Sequence, residues 1–185
     1  MATNLLESAI AATRDVLKGV LASQLRDPTP CDQWDVGQLI NHIVGDQFFY
    51  LGILAGEVRD NGSSNFSAGD YLATFEVGAS LYVEAFANEG VMSETFLLFS
   101  SETSGSSLVR IAATDTFVHG WDLARATGQS TDLSPDLAVK LLVAEKIAVS
   151  PIVRSVSGSP FAPERTAEVG ASQADLLAAY FGRRV

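Results

Sequence analysis

The chain of 185 residues contains two histidines, and each stands four residues from a carboxylate. His119 follows Asp115 in TDTFVHGWDLARATG, residues 114–128, and His42 precedes Asp46 in DVGQLINHIVGDQFF, residues 35–49. An α-helix turns once per 3.6 residues, so side chains at i and i+4 stack on one face. Asp115 and His119 can therefore face one point, and a second helix can bring His42 to it. Imidazole nitrogen and carboxylate oxygen bind zinc and related divalent ions at about 2.0–2.2 Å. Two histidines and one carboxylate leave a coordination position open for water or substrate. Both histidines fall in apolar helical stretches, where an imidazole needs a partner. The plainer alternative is a surface Asp/His pair, worth about 0.2–0.5 kcal/mol.

Asp46 competes for a place among the ligands, one turn after His42. Asp122, three residues past His119, pairs with Arg125 along the helix or accepts a hydrogen bond that orients the His119 ring. Arg125 is read as a solvated helix charge in preference to an anchor for a substrate carboxylate. Cys31 is a candidate nucleophile or fourth ligand, although lone cysteines commonly serve as small apolar residues. Trp34 and Trp121 are aromatics of the core or its rim.

The elements that must position these side chains are helical. Leu5, Leu6, Ala9, Ile10, Ala12, Val16, Leu17, Val20 and Leu21 recur at three- and four-residue intervals, predicting an amphipathic helix over about 4–25. Asp27-Pro28-Thr29-Pro30 breaks it. A second helix runs from Asp35, its expected N-cap, to about Gly56. Its later half, around Phe48 to Leu54, is apolar nearly all round, which places it centrally or at a subunit interface. Residues 59–67 are a polar turn. A third helix covers about 68–88. Residues 91–99 suit a short extended piece, and 100–107 a Ser/Gly-rich loop carrying the next N-cap. The fourth helix spans about 106–127, with Gly128 ending it. Ser134-Pro135 opens a fifth over about 135–149. Residues 151–170 are irregular, and a short helix capped by Ser172 runs to Phe181. Long helices with short loops and no regularly spaced strands predict one all-α domain over 1–185, a helix bundle.

Apolar residues make up 47% of the chain and charged residues 18%, as in an ordinary globular domain, and the net charge of −10 argues against a sequence-independent grip on nucleic acid or anionic membranes. Cys31 is the only cysteine, which excludes an internal disulfide and fits a reducing compartment. The amphipathic N-terminus, interrupted by Glu7, Arg14, Asp15 and Lys18, lacks the pattern of a signal peptide. No stretch approaches a membrane span. A cytoplasmic protein is expected.

The segment TPCDQWDVGQLINHIVG, followed far downstream by TDTFVHGWDLARATGQ and the ending DLLAAYFGR, resembles the actinobacterial metal-binding proteins of the mycothiol-dependent maleylpyruvate isomerase N-terminal type, within the DinB/YfiT-like superfamily. The resemblance covers most of the chain. It implies an up-and-down four-helix bundle with extra short helices and a divalent metal, usually zinc, with nickel or another ion as the alternative. It also implies a thiol cofactor such as mycothiol. Carried over by position, the ligands are His42, Asp115 and His119. The isomerase has Glu where this chain has Asp115, an arm one methylene longer. Two-domain members carry a C-terminal domain that helps bind substrate, and this chain is too short for it.

The reading that follows is a metal-dependent transferase or isomerase in which a small thiol meets a small electrophile. Its competitors are a non-enzymatic metal sensor or sink, and a bundle whose histidines are merely packed. A homodimer is expected from the apolar surplus of the second helix.

Overall fold

The computed structural model describes residues 2–57, 64–99, 101–149, 154 and 162–185. Its helices are α1 (Ala2–Lys18), α2 (Val36–Ala55), α3 (Tyr71–Ala87), α4 (Gly105–Ala126), α5 (Pro135–Ala148) and α6 (Gln173–Tyr180). One antiparallel hairpin, β1 (Thr95–Leu98) and β2 (Ser101–Ser104), pairs Thr95 with Ser104 and Leu98 with Ser101. No helix among the described residues is long and apolar enough to cross a membrane.

Four helices form the bundle. α1 packs on α4 and α3, and α2 packs on the same two, giving the order α1–α4–α2–α3 around the core. α1 and α2, consecutive in the chain, thus lie across the diagonal, and residues 19–35 bridge it. The consequence for function is that α2 and α4 are neighbours, so His42 and His119 can meet. α5 and α6 pack on each other, α5 also against α1 and α6 against α4.

Local chemistry sets the helix ends. Asp35 accepts from the Gln38 backbone N–H, while the Gln38 side chain accepts from the Asp35 N–H, so the predicted N-cap is a full capping box. Gly56 closes α2 with φ 69°, a left-handed turn that glycine adopts without strain. Ser104 caps α4 and Ser172 caps α6.

Three expectations are corrected. α1 stops at Lys18, short of 25, and a separate 3-10 turn follows at Ala22–Gln24. There the Val16 carbonyl accepts from the Gly19 N–H and also from the Gln129 amide, each at 3.0 Å. A Cβ on Gly19 would lie 2.2 Å from the Gln129 side-chain oxygen, so this helix end is built from a distant residue. The Ser/Gly loop after Phe99 contains strand β2, because its polar residues face solvent on one side of a hairpin. Ser134 precedes Pro135 as expected, but it has φ 36° and its side chain caps nothing. The apolar later half of α2 takes the central of its two expected places, with partners within the fold. Phe48 stacks on Phe66, Phe49 on Phe99, and Tyr50 is buried against Tyr82. Residues 59–63 of the predicted polar turn, and 151–153 and 155–161 of the irregular segment, lie outside the described residues.

α4 is the best-anchored element. At Gly120 a Cβ would fall 2.3 Å from Thr13 Oγ1, so glycine lets α1 approach to contact. Thr13, fully buried, donates to the Thr116 carbonyl at 2.8 Å. Trp121, also fully buried, donates its indole N–H to Asp175 at 2.8 Å and ties α4 to α6. His119 sits between these two fixed points.

Candidate metal centre

His42, Asp115 and His119 converge where α2 passes α4. Each offers one ligand atom, and the three atoms lie within 4.8 Å of one another. The two imidazoles meet edge to face, centroids 4.6 Å apart. His119 Nε2 is 3.4 Å from Asp115 Oδ1, and His42 Nε2 is 3.2 Å from Asp46 Oδ2. Asp46 also hydrogen-bonds Asp115, so both carboxylates belong to the cluster. Trp34 covers it, its ring 4.4 Å from His42 and 5.7 Å from His119. Trp34 is therefore part of the site's wall, while Trp121 is core.

Behind His119 lies a group that spacing only half predicts. Asp122 is fully buried and takes His119 Nδ1 at 3.1 Å, so it orients the ring. Arg125 is exposed and is not its partner. The cation that neutralises Asp122 is Arg183, whose Nε and Nη2 donate to the two carboxylate oxygens at 3.1 and 2.8 Å. Cys31 joins this group, with Sγ 3.3 Å from Asp122 Oδ2 and 4.0 Å from His119 Nδ1. Cys31, His119 and Asp122 thus form a second donor trio. Arg183 was not legible because it lies 61 residues from Asp122. The only signal is the Phe-Gly-Arg that follows α6.

Electrostatics divide the two histidines. Burial, reinforced by neighbouring His119, lowers His42 to about 4 from its ordinary 6.5. Burial also acts to lower His119, but Asp115 and then Asp122 overcome it and hold the ring well above 6.5. Burial raises Asp115, and the hydrogen bond from Asp46 together with His119 outweighs it, leaving the carboxyl well below the usual range. Asp122 is lowered the same way, with His119 and Arg183 outweighing burial. One imidazole is thus neutral and ready to ligate, while the other carries a proton that two carboxylates hold in place.

The cluster opens on a cavity of about 640 Å³, within the range of small-molecule sites. Its walls include Phe49, Leu98, Phe99, Ile111 and Val118. Polar groups on the far wall come from α4 and α5. Glu145, 2% exposed, is ion-paired with Arg110 and accepts from Thr114 Oγ1 at 2.8 Å. The hairpin closes one side: Phe99 follows β1 at φ 47° and lies against Phe49 at 5.5 Å.

A comparison with proteins of known sequence matches residues 6–124 to the mycothiol maleylpyruvate isomerase N-terminal domain. Two uncharacterised proteins of Mycobacterium tuberculosis, from strains H37Rv and CDC 1551, are each 38% identical over 185 residues, covering 100% of this chain and 97% of theirs. No solved structure matches. The matched stretch carries α2 with His42 and α4 with Asp115, His119 and Asp122, and on this evidence the chain belongs to the mycothiol maleylpyruvate isomerase N-terminal domain family.

Proposed function

We propose that the chain binds one divalent metal ion, zinc in the first instance, through His42, Asp115 and His119, and uses it to join a low-molecular-weight thiol of the mycothiol type to a small electrophile. One observation carries the reading: two imidazoles and a carboxylate with mutually adjacent ligand atoms, at the floor of an apolar-walled cavity of about 640 Å³. The donor chemistry fits a borderline ion such as zinc. The chemistry such an ion supplies is acidification of a thiol or water at its open position, giving a nucleophile at neutral pH.

The chain's own residues do the rest. Asp122 takes one nitrogen of His119 and leaves the other toward Asp115, which fixes the ring for ligation. His42 is neutral at physiological pH and binds without first losing a proton. Trp34, Phe49, Phe99 and Val118 keep the cavity apolar. Asp46 stands beside the trio as the candidate additional ligand. The proposal takes the chain as one domain working in the reducing cytoplasm, where such thiols remain reduced. A homodimer belongs to it as well. Its surface is not α2, which is covered, but α5, where Val139, Val143 and Ile147 are exposed at four-residue spacing.

The test is thiol consumption. Zinc-loaded protein is offered mycothiol with a panel of small electrophiles, and the same assay is run after chelation and on His42→Ala. Metal-dependent loss of thiol supports the transferase or isomerase. Tight zinc binding with no turnover of any electrophile moves the reading to a metal sensor or sink built on the same residues.

A further inference from the structure

We infer that Arg183 decides which of two donor sets around His119 can hold a metal ion. The inference rests on the metal reading above and goes beyond it to the selectivity of the site.

The imidazole of His119 stands between two trios. His42 and Asp115 lie on its Nε2 side, Cys31 and Asp122 on its Nδ1 side, and the ligand atoms of each trio lie within 4.8 Å of one another. By donor type the Cys31 set is the stronger attractor for zinc and softer ions, since thiolate is the softest ligand in the chain. Geometry reverses that order. The guanidinium of Arg183 already occupies the Cys31 side. It donates to both Asp122 oxygens, and its Nη2 lies 3.7 Å from Cys31 Sγ. A divalent ion placed there would sit against a permanent cation and would have to compete for a carboxylate whose two oxygens are already bound. Arg cannot shed its charge to make room.

The fold holds Arg183 in this place. α6 ends in a Schellman turn: Gly182, at φ 86°, donates to the Ala179 carbonyl, and the Arg183 N–H donates to the Ala178 carbonyl at 3.0 Å. A Cβ at Gly182 would approach Ala162 Cβ to 2.6 Å. The reversal sends the Arg183 side chain back under α4. Arg183 is therefore a positioning residue. It fixes Asp122 as the acceptor for His119, and it keeps a soft ion off Cys31.

Cobalt(II) alone is the probe, because a cobalt–thiolate bond gives a near-ultraviolet charge-transfer band that nitrogen and oxygen ligands do not. Wild type should bind about one equivalent without that band. Arg183→Gln should gain the band, and Arg183→Gln combined with Cys31→Ser should lose it. His42→Ala, which keeps Arg183, should lose cobalt without moving it to sulfur. A thiolate band in wild type or in His42→Ala overturns the inference, as does its absence from folded Arg183→Gln. If wild type takes up no cobalt, the metal reading itself fails. The band in Arg183→Gln then still decides whether Arg183 guards the Cys31 side.

Discussion

Metal affinity should rise with pH in a way that His119 dictates. The apo ring holds two protons at neutral pH, because Asp115 and Asp122 overcome the effect of burial and raise its pKa well above 6.5. The proton on Nδ1 is engaged by Asp122 at 3.1 Å and stays. The proton on Nε2 must leave before that nitrogen can ligate. Asp115 is ionised throughout, and His42, lowered to about 4, is neutral. Uptake at neutral pH therefore releases about one proton, and the apparent association constant climbs about tenfold, or about 1.4 kcal/mol, per pH unit. The slope flattens above the native pKa of His119 and steepens toward two only as His42 begins to protonate near 4. Competition against a chromophoric zinc chelator, repeated between about pH 6 and pH 8, reads the slope directly. Asp122→Asn removes one of the two carboxylates holding the proton, so its curve should flatten at lower pH than wild type. An affinity that does not change with pH over this range in wild type would refute the reasoning.

Two further predictions concern stability. Arg110→Ala leaves Glu145, 2% exposed, as a buried charge with only the Thr114 hydroxyl against it; the expected loss is about 3–5 kcal/mol. Denaturant titration should show it, and Arg110→Leu with Glu145→Leu should recover most of it; a single variant as stable as wild type contradicts the burial argument. The histidines give opposite pH signatures in the apo protein. His42 has a depressed native pKa, so the unfolded chain takes up its proton first, and stability falls as pH drops from 6.5 toward 4, by up to about 3 kcal/mol. His119, raised, contributes stability that is complete below its unfolded pKa and is lost as pH rises through its native one. His42→Asn should lose less stability than wild type on acidification to pH 5; an equal loss in both shows that His42 is not its source.

Much of the fold could be read from periodicity, and the misses share a cause. α2 and α4 showed through because their apolar spacing and local caps lie within a few residues of each other. Asp35 with Gln38 is such a signal, and Asp115 with His119 is another. The end of α1 was misplaced because its capping group, Gln129, is 113 residues from the Val16 carbonyl it serves. β2 was missed because Ser101 to Ser104 is polar and short, and its partner strand alone makes it a strand. Asp122 was seen beside His119, yet its true counter-ion was hidden. Helical spacing favoured Arg125, three residues on, because such spacing is local, while the buried carboxylate turned inward to Arg183. Nothing local singled out Glu145, because its partners Arg110 and Thr114 lie on another helix, 35 and 31 residues away. Spacing can propose which side chains share a helix face, but it cannot say which distant cation a buried carboxylate will find.

The most direct test of the central claim is metal content. Untagged protein purified without added metal, wild type beside His42→Ala and His119→Ala, would be measured by elemental analysis. The account predicts about one equivalent of a divalent metal in wild type and loss of it in both variants. A metal-free wild type that also refuses added zinc, or metal retained in the two variants, would contradict it.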